Sequence, residues 1–232
     1  PHATGVAGGD LDGAVEIIDE DIRRAGHIDT GRERFLDAAA RAWSYLLGAW
    51  TAFREKEEPT IAQTRERWLL PLVRELGYGN VPSLSNGLSI DETHYPISHS
   101  GDHVPIHLLA PSLFLDRRNP GVAGAARAPQ AMLQEYLNRS DDHLWALLSN
   151  GTRLRMLRDS TALAGSAYLE FDLEAIFDGE LYSEFLLMFL VAHSTRTEKR
   201  GGKESSPADC WLEAWRSDAV DTGTRALDKL RV

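Results

Sequence analysis

The spacing of apolar positions changes period several times along this chain of 232 residues. Leu11, Val15, Ile18 and Ile22 recur at helical spacing in an acidic setting, which predicts an amphipathic helix over residues 11–25. Thr30 and Glu33 have the spacing of a capping box. Phe35, Ala39, Trp43, Leu46, Leu47, Trp50 and Phe53 then predict a long second helix, ended by the charge cluster 54–58 and Pro59. Thr60 is placed to cap a third helix carrying Ile61, Trp68, Leu69, Leu72, Val73 and Leu76. Pro71 is expected to kink this helix and Gly77 to end it.

Past Gly79 the pattern shortens, and Pro, Ser, Asn and Gly become frequent. Leu88–Ile90, Tyr95–Ser98 and Val104–Ala110 are the predicted strands of this stretch. Helical spacing returns after Pro129 at Met132, Leu133, Tyr136 and Leu137. Leu144–Leu148 is a short apolar run, as expected of a strand buried on both faces. Asn150-Gly151 favours a two-residue hairpin turn, and the return segment 152–158 alternates so that its arginines face away from Leu154 and Met156. One face of that strand is therefore expected to be buried and the other wet. A further strand is predicted at Tyr168–Phe171, followed by a short helix started by Asp172, an apolar helix over 181–194, a polar linker over 195–207 and a last helix from 208 to about 231.

Composition narrows the classes. A hydrophobic content of 43% and a charged content of 26% are those of a soluble globular chain, and no apolar run is long enough to span a bilayer. The single cysteine, Cys210, excludes an internal disulfide framework and fits a reducing, cytoplasmic setting. With a net charge of −10, any contact with nucleic acid is expected to be local or to be provided by other parts of the protein. Residues 1–10 read as a flexible lead-in.

Helix 60–76, three strands between 88 and 110, helix 129–139 and strand 143–148 give the order αβββαβ. The run DDHLWALLSNGTRLRMLRDS, followed by AYLEFDLEAIFDGELYSEFLLMFLVAHSTR, resembles the N-terminal region of large type IIG-like DNA adenine methyltransferases of restriction-modification and phage-defence systems. The resemblance covers roughly residues 60 to 230. It implies an α/β fold with a mixed sheet like that of a PD-(D/E)XK nuclease, degenerate here and preceded by a helical subdomain. The expected division is a helical subdomain over 11–79, a nuclease-like core over 80–194, the linker, and a C-terminal helix over 208–232 leading to a downstream methyltransferase domain.

The resembled fold needs a carboxylate near its second strand and an acid and lysine on its third, which hold a divalent metal beside the scissile phosphate. The expected third strand, VPIHLLA, has neither. Glu75, Asp91, Asp102 and His107 are the candidates for displaced catalytic groups, and a Mg²⁺-dependent endonuclease remains the alternative they define. His94, His99, His103 and His107 invite a metal reading, but Pro96, Gly101 and Pro105 deny them a helix, and no metal site is assigned. Asp141, Asp142 and His143 read as a helix-stop turn. Arg117, Arg118, Arg127, Arg153 and Arg155 are the candidate phosphate contacts for weak DNA binding.

No Gly-rich cofactor loop or Asn-Pro-Pro-Tyr-type motif occurs, so S-adenosylmethionine is expected in the parent methyltransferase and not in this chain, which itself implies no cofactor. The expected role is a non-catalytic module assisting DNA engagement or domain assembly. A docking scaffold for a partner protein is the second alternative.

Overall fold

The computed structural model describes residues 35–101, 103–160, 167–201 and 205–230, with side chains described for all of these except 167 and 223–230. The predicted helix 11–25, the capping pair Thr30 and Glu33, and Asp102 lie outside the described residues. The chain divides into two compact units, Pro1–Tyr45 and Leu46–Val232. In the first, residues 35–45 are helical; they open helix α1 (Phe35–Arg54), whose remaining turns belong to the second unit.

Helix α2 occupies residues 61–78, in which α-helical turns Ile61–Thr64 and Leu70–Val73 alternate with π-helical turns Arg65–Leu69 and Arg74–Tyr78, the last broken at Gly77, whose φ of 83° leaves the helical region as expected of a terminator. Its start is a full capping box: Gln63 N–H donates to Thr60 Oγ1 at 3.2 Å, and Thr60 N–H donates to Gln63 Oε1 at 3.1 Å. The expected irregularity at Pro71 takes the form of the wide turn before it. Pro71 has no N–H to donate four residues back, and Leu70 N–H reaches Arg65 O instead.

The sheet has five strands in the order β3-β4-β5-β6-β7, where β3 is His99–Ser100, β4 Pro105–Leu108, β5 Trp145–Ser149, β6 Arg153–Arg158 and β7 Ala167–Asp172. β4 and β5 run parallel, with Ile106 opposite Leu147, and the other pairs are antiparallel, so the fold is α/β with a mixed sheet. The three strands expected between 88 and 110 do not all join it. β1 (Leu88–Ile90) and β2 (Thr93–Tyr95) form a separate two-stranded sheet, and of the expected strand 95–98 only Tyr95 lies in a strand, β2, while the short β3 begins just after it. Pro96 lies between them, where it cannot donate to a ladder.

The hairpin turns also differ from expectation. Ser149 pairs with Leu154, so four residues, 150–153, separate the last paired positions of β5 and β6, the fourth of them already the first residue of β6. Asn150 Oδ1 accepts the N–H groups of Thr152 and Arg153 at 3.2 and 3.0 Å, and only Gly151 takes a positive φ, of 94°. A two-residue type I′ turn would need both residues there. Asn150 instead spends its side chain on an Asx turn. The two-residue turn lies at Asp91-Glu92 between β1 and β2, with Asp91 at φ 52°.

Helix α3 (Pro129–Arg139) covers one face of the sheet. Its Met132, Leu133, Tyr136 and Leu137 pack with Ala146, Leu148 and Leu157 and with Tyr95, Ile97 and Leu109. Leu147, Leu154 and Met156 alternate to the other face and are equally buried, so the sheet is covered on both sides. Helices α4 (Leu173–Asp178) and α5 (Tyr182–Ala192) follow β7. Asp172 caps α4 by accepting from Ala175 N–H at 2.9 Å.

Trp50 and Phe53 of α1, Trp68 of α2, Phe177 of α4 and Phe185 and Phe189 of α5 form one chain of ring contacts with centroids 4.9–6.2 Å apart. The β5–β6 turn is tied to this cluster, because Trp68 Nε1 donates to Gly151 O at 2.7 Å. A Cβ on Gly151 would meet Thr64 Cγ2 at 3.0 Å. The stretch expected to be a linker begins with the 3₁₀ turn Ser194–Arg196, whose residues are buried together with Thr197. Helix α6 (Trp211–Leu230) ends the described chain. Among the described residues no helix is long and apolar enough to cross a membrane.

Candidate functional site

β4 is the strand on which the resembled fold would carry its catalytic acid and lysine. Its four residues, Pro105, Ile106, His107 and Leu108, are all buried. His107 is held at both ring nitrogens: Nδ1 accepts from Ser98 N–H at 3.2 Å, and Nε2 donates to Gly124 O at 2.9 Å. That pattern fixes one neutral tautomer. Burial pushes the ring down to about 4, against the Gly124 bond, and the nearby Arg65 and His99 push the same way.

Ser98 joins β3 to β4. Its Oγ accepts from Leu108 N–H at 2.9 Å, donates to Ile106 O at 3.3 Å, and lies 2.8 Å from His99 Nδ1. His99 is likewise pushed down to about 4, by burial and then by Arg65. Arg65 reaches from the first π-helical turn of α2 to the end of β4, donating from Nε and Nη2 to Leu108 O at 2.9 and 2.7 Å. A cleft of about 170 Å³ opens beside this group, lined among others by Arg65, Ser83, Ser85, His94, His107 and Gly124. Gly124 sits at φ 77°, where a Cβ would meet His107 Cε1 at 3.3 Å, so the loop can press its carbonyl against the ring only as glycine.

The other candidates are dispersed. Glu75 is partly buried and ion-pairs with Arg74 at 3.4 Å. Asp91, 80% exposed at its side chain, is a turn residue paired with Arg139 at 3.2 Å. His94 is exposed on β2, while His103 bonds Thr197 Oγ1 at 2.9 Å beside the ring of Tyr78. Among the described residues no three His, Cys, Asp or Glu side chains are grouped to hold a metal ion. His143 accepts or donates at Tyr136 OH, 2.9 Å away, and Ser140 Oγ accepts the N–H groups of Asp142 and His143, which is a helix-exit turn.

The arginine face of β6 is not wet in the way the alternation implied. Arg155 is opposite Glu170 on β7 and ion-pairs with it, bonds Gln130 of α3, and lies over the Tyr168 ring at 4.9 Å, which leaves its side chain 11% exposed. Arg153 ion-pairs with Asp172 directly across the ladder. Arg158 binds Glu213 of α6 through Nε and Nη2 at 2.7 and 2.9 Å. Arg127 ion-pairs with Glu135, whose carboxyl is held below its usual range chiefly by that bond. Arg117 lies over Phe114 at 5.3 Å, and Arg118 is exposed.

Arg65, Ser98 and Gly124 were not legible as site residues. Arg65 sits in a helix beside Glu66 and Arg67 with nothing in its spacing to single it out. Comparison with protein-family models, curated proteins and solved structures finds no match to this chain.

Proposed function

We propose that this chain is a non-catalytic module of a bacterial restriction-modification or phage-defence DNA N6-adenine methyltransferase, a degenerate relative of PD-(D/E)XK nucleases that serves domain assembly more than DNA cutting. The observation that carries the reading is β4, where a neutral His107 bonded at both nitrogens stands among buried apolar residues. Such a ring offers neither a metal ligand nor a proton acceptor without first breaking a buried hydrogen bond. A strand of this kind stabilises a sheet and does not activate water.

Assembly is favoured over DNA holding because Arg127, Arg153 and Arg155 spend their charge on carboxylates of the same fold. Arg117 and Arg118 remain the surface on which weak phosphate contact would depend. S-adenosylmethionine chemistry and base recognition belong, on this reading, to the methyltransferase domain of the parent protein, in the cytoplasm.

The test is binding of the purified chain to duplex DNA at low and at moderate salt, with and without Mg²⁺, while the same DNA is watched for cleavage. Absence of cleavage, with binding weak or absent, is expected. Mg²⁺-dependent cutting would overturn the non-catalytic reading. Tight, salt-sensitive binding lost in Arg117→Glu/Arg118→Glu would move the role from assembly to DNA engagement.

A further inference from the structure

We infer that the cleft beside β4 is a binding site for a phosphate group, with Arg65 as its cation. Arg65 differs in its pairing from the arginines of the sheet and of α3. Arg127, Arg139, Arg153, Arg155 and Arg158 are each matched by a carboxylate. Among the described residues no Asp or Glu ion-pairs with Arg65, whose hydrogen-bond partner is the backbone carbonyl of Leu108. Nε–H and one Nη2–H are spent on Leu108 O, which leaves the Nη1 hydrogens and the second Nη2 hydrogen available to a ligand. The carbonyl bond fixes the plane of the guanidinium, so little side-chain entropy is left to lose on binding.

The walls agree with an anion. In a chain of net charge −10 no carboxylate lines the cleft among the described residues, and Ser83, Ser85 and His94 line it together with Arg65. The three remaining guanidinium hydrogens, with hydroxyl-bearing residues beside them, suit the oxygens of a phosphate. At about 170 Å³ the cleft has room for a phosphate group. A cation half withdrawn from water with its field unopposed is strong where a phosphate would sit. The site goes beyond the assembly role and does not depend on it.

The experiment is an amide chemical-shift titration of the whole chain with inorganic phosphate at low ionic strength, with chloride and acetate as controls. Saturable shifts confined to Arg65, the 83–87 loop, His94 and Gly124 are expected for phosphate alone. Arg65→Gln should weaken binding roughly tenfold or more. Ser85→Glu, at an exposed position, should do the same by placing a carboxylate at the rim while leaving the thermal midpoint unchanged. This second variant keeps the test sound if loss of Arg65 unfolds the protein.

No saturable shift in the wild type, or equal phosphate affinity in Ser85→Glu, would overturn the site. A short single-stranded oligonucleotide with and without a 5′-phosphate separates the sources. Dependence on the 5′-phosphate assigns the site to a terminal monoester, and equal binding assigns it to the backbone diester. The cleavage assay reports on the assembly role separately, so either inference can fail alone.

Discussion

Acidification should destabilise this fold well above the pH at which carboxylates protonate, and His107→Asn should expose the cause. Burial holds the His107 ring at about 4 in the folded chain, against an ordinary value of 6.5. The unfolded chain therefore takes up the proton first as pH falls. The stabilisation is fully present above 6.5 and is lost progressively as pH approaches 4. Linkage over that interval amounts to about 2 kcal/mol at about pH 5. His99 acts in the same direction, and so does His143, lowered by burial.

Asparagine at 107 keeps an acceptor for Ser98 N–H and loses the donor to Gly124 O, at a cost of about 2 kcal/mol near neutral pH. It cannot titrate. Urea unfolding of both proteins at about pH 7.5 and at about pH 5 should show the stability gap closing by about 2 kcal/mol at the lower pH. A gap that stays constant within about 0.5 kcal/mol would refute the buried neutral ring as the source, since His99 and His143 are common to both proteins and only the wild type carries the His107 ring.

Other outcomes follow from contacts already described. Trp68→Phe should keep the ring cluster and lose the bond to Gly151 O, lowering urea stability by about 1–3 kcal/mol, most of it recovered by no other change at the turn. Glu213→Gln should cost about 3 kcal/mol in the same assay, because the Glu213 carboxylate is 8% exposed and faces both Arg158 and Arg216. Glu174→Gln, at a pair with Arg54 in which both side chains are more than 40% exposed, should cost under about 1 kcal/mol. Equal losses from the two glutamates would contradict the burial argument.

Local chemistry was readable and long-range pairing was not. Thr60, Asp172 and the apolar spacing of α3 announce themselves because capping and helical periodicity act within a few residues. The apolar run 145–148 was legible as a strand buried on both faces for the same reason. The Asn150-Gly151 turn was misjudged because an Asx bond from the same asparagine competes with the left-handed conformation that a two-residue turn demands. The arginines of β6 looked solvated because period-two alternation marks a face without telling what stands across the ladder; Glu170 and Asp172 are supplied by a strand more than ten residues on. Arg65 was invisible because its partner is a backbone carbonyl, which leaves no side-chain signature.

The parallel seam between β4 and β5 gives the sheet two kinetic halves. β5, β6 and β7 form an antiparallel meander whose first closure joins near neighbours, Ser149 and Leu154. Ile106 must find Leu147 about forty residues away, at an extra closure cost of about 2 kcal/mol. The meander should therefore form early, with β4 and its histidine docking onto it after the main barrier has been crossed. Stopped-flow measurements should then find that Leu154→Ala slows folding while Ile106→Val chiefly speeds unfolding. Late docking would make the β3–β4 side of the sheet, with the cleft beside it, the first part to open in the native state.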